Sequence, residues 1–334
     1  MRRVIVVALA VMMIAAVTGW TAGEQEADSD QPIRLRLAET HGPDYPTTQG
    51  SREFARLVEE RTDGRIQIEV FHSAQLGEES DAIEQVQFGG IDFTRVSISP
   101  LSSFVPALDA FQMPFLYNDA EHMWDVLRGD IGAEMFAELE DHGFVGLTWY
   151  DSGSRNFYTT SLVESVADLD GLNIRVQESP LMMDMVELLG AVPVPMPFGE
   201  VYSGLQTGVI DGAENNWPSY LTTSHYEVAR FFIENAHTRV PEITVASSQV
   251  WDTLSAEDQE IIRDAAWESI DYQRQLWAEF EEEAEEQIRA AGNTITSPSA
   301  SVLAEMQERM QPLYDRQPEE VLEMIDRVQS YGGR

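Results

Sequence analysis

Residues 33–98 read IRLRLAETHGPDYPTTQGSREFARLVEERTDGRIQIEVFHSAQLGEESDAIEQVQFGGIDFTRVSI, and their rhythm decides the fold class. Ile33, Leu35 and Leu37 alternate with Arg34 and Arg36, the period of a strand. A polar loop over 39–45 carries Gly42 and Pro43, and helical spacing of Phe54, Leu57 and Val58 fills 47–61 up to Asp63-Gly64. Residues 66–71 alternate again, 81–88 predict a helix stopped by Gly89-Gly90, and 92–98 predict a strand ended by Pro100. This β-α-β-α-β order predicts a parallel sheet with helices on its faces.

The second half repeats the style with different pieces. Residues 144–150 and 172–177 predict strands, and 180–189 and 200–206 predict helices. Ala191-Val192-Pro193-Val194-Pro195 is extended and limited by its prolines. Ser255 and Asp258 make a capping-box pattern, and helical spacing runs from there to Ala291, with Gly292 as the stop. A continuous helix of that length is about 54 Å long at 1.5 Å per residue. It exceeds one small domain, so it is expected to span two. There is no internal repeat and no low-complexity linker. Two α/β lobes joined by several crossings leave a cleft, and such clefts bind small ligands at strand ends.

Composition narrows the function. The 334 residues hold 58 Asp+Glu against 21 Lys+Arg, a formal net charge of -37, and no cysteine. Every cationic residue is Arg. A P-loop lysine, a Schiff-base amine, a thiol nucleophile, a disulfide and a thiolate metal site are all excluded. A polyanion would meet a strongly negative surface, so nucleic acid is not an expected partner. The acids are spread along the chain, with a dense run at Glu281, Glu282, Glu283, Glu285 and Glu286. Such self-repulsion is relieved by salt, whose screening length falls to roughly 3 Å at 1 M. A salt-adapted, halophilic protein is the expectation.

Arg2 and Arg3 precede an apolar run over 4–17, and small residues then lead to an acidic stretch over 24–30. That pattern predicts a signal peptide over 1–23 and export to the periplasm, with no membrane insertion after cleavage.

Chemistry concentrates in a few places. In Leu172-Asn173-Ile174-Arg175-Val176-Gln177 the alternation sets Asn173, Arg175 and Gln177 on one face, a planar cation flanked by amides. Arginine holds a carboxylate with two parallel hydrogen bonds. Arg155 follows a strand in a small-residue turn, Asp151-Ser152-Gly153-Ser154-Arg155. Asp211-Gly212-Ala213-Glu214-Asn215-Asn216-Trp217-Pro218 is a turn with two amides and an aromatic. Amides beside an arginine, with a ring for the apolar face, suit an acidic, hydroxylated small molecule. The six histidines lack HxxxH or HExxH spacing, so no metal site is predicted, nor any cofactor. GxSxG and GxGxxG are missing too, and no enzyme is expected.

At this point the sequence resembles the solute-binding proteins of tripartite ATP-independent periplasmic (TRAP) transporters, the DctP type, over roughly 33–330. The landmarks are Phe71-His72-Ser73-Ala74-Gln75-Leu76-Gly77, Met113-Pro114-Phe115, Asp168-Leu169-Asp170-Gly171-Leu172-Asn173-Ile174-Arg175-Val176, Leu189-Gly190-Ala191-Val192-Pro193-Val194-Pro195-Met196-Pro197-Phe198, and Glu200-Val201-Tyr202-Ser203-Gly204-Leu205-Gln206-Thr207-Gly208-Val209-Ile210-Asp211-Gly212. The resemblance implies a two-lobed periplasmic binding protein fold with a long helix spanning both lobes. Residues 32–152 plus 241–280 would form the N-terminal lobe, and 153–240 plus 281–334 the C-terminal lobe.

It also implies roles. Arg175 would clamp the ligand carboxylate, Arg155 would assist, Asn215 would complete the contacts, and Phe198 would pack on the ligand body. Gln177 stands where the family carries proline. Ser97, with Arg95 two residues back, would face the cleft from the first lobe, under the loop 39–45. The run through Asn215-Asn216-Trp217, with Asp44-Tyr45-Pro46, is similar to a subgroup that binds hexuronates such as glucuronate and galacturonate. Asn216, Glu39, His41 and Arg95 would then meet the hydroxyls, and Trp217 supplies the turn's aromatic. A C4-dicarboxylate, with Arg95 as its second cation, or another small organic acid is the alternative, and a sensor partner or a secreted enzyme on acidic sugars ranks below it. A membrane permease is the implied partner.

Overall fold

The computed structural model describes residues 31–332, so the expected signal segment 1–23 lies outside the described residues. Among the described residues eleven strands form two sheets. The first holds β1 (Ile33–Glu39), β2 (Ile66–Phe71), β3 (Phe93–Ser97) and β4 (Phe144–Tyr150), with β10 (Glu242–Ser247) inserted, in the order β2-β1-β3-β10-β4. The second is ordered β11-β9-β5-β8-β6-β7. Its members are β5 (Arg155–Thr159), β6 (Asn173–Val176), β7 (Val192–Pro195), β8 (Gly212–Asn215), β9 (Phe231–Thr238) and β11 (Thr294–Thr296).

The opening rhythm gives the expected parallel β2-β1-β3 unit. The sheet as a whole is mixed, because β10 pairs antiparallel with both β3 and β4. β10 is buried along its whole length, and its partners lie far away in sequence.

Two short segments pass between the sheets, and the helix Ala256–Ala290 carries the chain from β10 to β11 as a third connection. Residues 151–154 lead from β4 to β5, and 239–241 lead back from β9 to β10. At the first crossing Gly153 has φ +63°, and a Cβ there would lie 2.3 Å from Glu281 Oε1, so both backbone and space call for glycine. The helix Ala256–Ala290 runs beside the crossings, 35 residues as the pattern predicted. The Ser255 hydroxyl accepts the Asp258 N–H at 3.1 Å and caps it. Gln273 on this helix binds the first crossing through both ends of its amide, accepting the Asp151 N–H at 2.8 Å and donating to the Asp151 carbonyl at 2.9 Å.

One large apolar cluster runs from the first sheet to the second, joining Trp149 and Ile243 with Phe157 and Ile174, and a smaller cluster packs on each sheet besides. The helix Glu319–Ser330, from the segment expected to accompany the second lobe, instead packs on the turn Pro106–Phe111. There His122 Nε2 lies 2.9 Å from the Val328 carbonyl, and Arg327 pairs with Glu134 at 2.6 Å. No helix among the described residues is long and apolar enough to cross a membrane.

Candidate functional site

The carboxyl ends of β1, β6 and β8 and the amino ends of β5 and β10 surround one small chamber of about 20 Å³. Strand ends of this kind are where α/β sheets bind ligands. A larger cavity of about 560 Å³ adjoins it, sharing the walls Thr40, His41 and Phe198.

Three arginines are buried among the described residues, and their partners differ. Arg155, at the start of β5, grips the Glu214 carboxylate of neighbouring β8 through Nε and Nη2, the latter at 2.8 Å from Oε1. Its Nη1 donates to Asn215 Oδ1 at 3.3 Å. Burial alone would raise the Glu214 carboxyl, but Arg155 and His237 outweigh it and hold it at about 2. Arg95 is surrounded by Glu39, Glu79 and Glu242. Arg175 donates Nε and Nη2 to the Met196 carbonyl at 2.9 and 2.7 Å and has no carboxylate within 4 Å among the described residues. It is 3% exposed, and burial presses its pKa downward. A buried guanidinium held by one neutral oxygen is a place prepared for an anion.

Arg155, Arg175, Asn215, Asn216, Phe198 and His41 all line the chamber. The Asn215 side-chain N–H groups make no hydrogen bond among the described residues, leaving them free to donate. Asn216 is already committed: its Oδ1 accepts the Ser219 N–H at 2.8 Å, capping the helix Trp217–Thr222, and its Nδ2 donates to the Ser152 carbonyl at 3.0 Å. His41 stacks on Tyr45 with centroids 3.8 Å apart and meets Phe198 edge-on at 5.0 Å. Burial first, then Arg95 and Arg155, lower its pKa well below the usual value, so the ring is uncharged at neutral pH.

Four expected contacts sit elsewhere. Ser97 caps the short helix Ile98–Leu101 and gives its own N–H to Glu79 Oε1 at 2.9 Å. Glu39 and Arg95 satisfy each other inside the first sheet, with Arg95 fully buried, and neither lines the chamber. Trp217 stacks on Phe232 at 3.8 Å within the second sheet's apolar cluster, because the first turn of its helix faces that core. Sequence reasoning did not single out Glu79, Glu242 and Ser219, which do line the chamber. In a chain with 58 acids nothing set those two carboxylates apart.

Residues 37–320 match the family described as DctP, bacterial extracellular solute-binding protein, family 7. The chain belongs to this family. It is therefore an extracytoplasmic solute-binding protein of the TRAP type. A solute-binding protein of Chromohalobacter salexigens is 37% identical over 306 residues, covering 90% of each chain. A TRAP periplasmic solute-binding protein of Bradyrhizobium sp. BTAi1, solved in complex with α/β-D-galacturonate, is 42% identical. Its TM-score is 0.87 over 89% of this chain and 99% of that one. A third, from Chromohalobacter salexigens with bound D-glucuronate, is 35% identical with a TM-score of 0.86 and the same coverage, 89% and 99%. The family and these neighbours are binding proteins, and the site of this solute-binding protein is read below as a capture site.

Proposed function

We propose that this DctP-family protein captures a hexuronate such as glucuronate or galacturonate in the periplasm and hands it to a TRAP membrane permease. The observation that carries the reading is Arg175: a buried cation without a carboxylate, beside the free Asn215 amide and the Arg155 fork. The ligand carboxylate fills that gap. Phe198 and the neutral His41 ring give the sugar an apolar wall. The galacturonate and glucuronate bound by two similar solved proteins support the choice of ligand.

A dicarboxylate needs a second cation. Arg95 was the candidate, and it is held by three carboxylates. That favours one carboxylate and several hydroxyls.

Capture proceeds by lobe closure. Contacts already bridge the two sheets' loops: Tyr45 Oη lies 2.8 Å from Ser219 Oγ and 3.3 Å from Asn216 Oδ1, and Ser80 Oγ donates to Glu178 Oε2 at 2.8 Å. The chamber holds roughly one water's volume, so a sugar enters only when these loops part. The crossings 151–154 and 239–241 and the long helix would act as the hinge, and ligand contacts to both sides shift the population toward closure. A hexuronate has about 13 heavy atoms, so micromolar affinity, about -8.2 kcal/mol, asks roughly 0.6 kcal/mol per atom, within the range for small ligands.

The test is a thermal-shift panel of glucuronate, galacturonate, succinate, malate, pyruvate and glucose in about 1 M NaCl. Stabilisation by uronates alone supports the reading by linkage. Stabilisation by dicarboxylates alone contradicts it.

A further inference from the structure

One chamber residue has no task in the account so far. Gln177 follows the end of β6, on the same side of the chain as Arg175 and about 6.6 Å further along at strand spacing. It is 7% exposed, and its Oε1 is buried with no hydrogen-bond partner. Its Nε2 donates to no protein group among the described residues. A buried amide oxygen left unpaired is costly, and native structures rarely keep one without a function.

The same chamber carries excess negative charge. Glu39, Glu79 and Glu242 share the single cation Arg95, and Glu79 and Glu242 face the chamber. Glu79 Oε1 accepts the Ser97 N–H, and Glu242 Oε2 accepts from Arg95 at 2.5 Å. The remaining oxygens, Glu79 Oε2 and Glu242 Oε1, take no hydrogen bond from the protein among the described residues. They are acceptors for hydroxyl hydrogens and repel a carboxylate.

We propose that Gln177 is a specificity contact that reads a ring hydroxyl of the ligand, in a chamber where Glu79 and Glu242 take further hydroxyls and exclude a second carboxylate. This rests on the hexuronate reading and assigns its selectivity to three residues. The anion is held at Arg175, and the neutral, hydroxylated body of the ligand lies against the amide and the two acids. An unpaired Oε1 penalises any ligand that brings no donor to it, and selectivity of that origin is strong because the protein group stays unsatisfied.

Calorimetric titration of the full-length mature protein with glucuronate, galacturonate, pyruvate and succinate decides the matter. The variants are Gln177→Met, which keeps length and removes both polar atoms, and Glu242→Gln. The Gln177 side chain makes no hydrogen bond among the described residues, so Gln177→Met is expected to melt at the wild-type temperature without ligand. The account expects uronate affinity to fall at least tenfold in Gln177→Met while pyruvate binding changes less than twofold. It expects succinate binding to strengthen at least fivefold in Glu242→Gln. Unchanged uronate affinity in Gln177→Met, with wild type binding uronate, overturns this inference alone. Equal losses for uronate and pyruvate overturn it too, since they mark a general distortion. Wild type that binds neither uronate overturns the function proposed above and this inference with it.

Discussion

Arg155 holds the Glu214 carboxylate in a two-pronged grip, Nε to Oε2 and Nη2 to Oε1, and in doing so neutralises itself. Glu214 immediately precedes Asn215 on β8, so the grip also fixes the amide that faces the chamber. Arg175, on the neighbouring strand β6, is left without a counter-ion. The two arginines therefore divide the work, one as scaffold and one as anion receptor.

Substitutions should separate the two roles. Arg175→Ala removes the receptor and is expected to weaken ligand binding by about 3–5 kcal/mol, a loss of more than a hundredfold. The unliganded fold should hold, because no buried carboxylate loses its partner. Arg155→Ala strands the Glu214 carboxylate and should lower the melting temperature as well as the affinity. Paired melting and titration data for both variants check this, and a loss under tenfold in Arg175→Ala rules out the clamp.

Tyr45 tests closure apart from ligand contact. Its hydroxyl bridges from the first sheet's loop to Ser219 at 2.8 Å and Asn216 at 3.3 Å. Tyr45→Phe keeps the ring that stacks on His41 and removes about 1 kcal/mol of hydrogen bonding. Ligand dissociation, followed by stopped flow, should quicken about fivefold with little change in the association rate. An unchanged dissociation rate would show that this bridge contributes nothing to holding the lobes shut.

The crossings carry a pH dependence. Glu281 on the long helix faces Asp151 and Gly153 of one crossing and Arg239 of the other, with Trp277 and Glu285 beside it on its own helix. Burial, then Asp151, push its carboxyl up to about 7, while Arg239 and Trp277 pull the other way. A carboxyl raised on folding gives stability that is full below its ordinary value near 4.3 and is lost as pH rises through about 7. Glu281→Gln copies the protonated form. It should melt above wild type at pH 8 and together with it at pH 4.5. Parallel curves across that window would refute the assignment. Glu214 has the opposite sign: its contribution is present above the ordinary value and goes as pH falls through about 2.

Much of this was legible in sequence, for definite reasons. The β1-β2-β3 unit announced itself by alternation, and the long helix by its Ser255 cap and Gly292 stop. Arg155, Arg175 and Asn215 stood out because a strand face or a tight turn carries them, and Phe198 came from the family resemblance; all four line the chamber. Arg95 obeyed the same alternation, yet three carboxylates from β1, β10 and the helix Glu79–Gln87 enclose it. Two of those partners lie 56 and 147 residues from it in sequence, beyond the reach of local pattern. Trp217 misled for a local reason: β8 ends at Asn215, Asn216 caps the next helix, and the first residue of that helix faces the core. β10 was missed although Ile243 and Val245 alternate with Glu242 and Thr244, because its partners β3 and β4 lie far away in sequence.

The net charge of -37 makes its own demand. Many of the surface arginines are already paired, as Arg56 is with Glu53 and Glu60, so most of the acidic surplus is left to the solvent. Melting temperature should rise steadily with NaCl from low salt to about 1 M, as screening shortens the reach of repulsion to roughly 3 Å. A flat or falling curve would end the halophilic reading.

The central claim is that Arg175 receives the single carboxylate of a sugar acid. Calorimetric titration of wild type and Arg175→Ala with galacturonate, glucuronate and succinate tests it most directly. The account predicts that wild type binds at least one uronate in the micromolar range or tighter, binds succinate at least a hundredfold more weakly, and loses the uronate in Arg175→Ala. Equal affinity for the uronate in both proteins, or a preference for succinate, would contradict it.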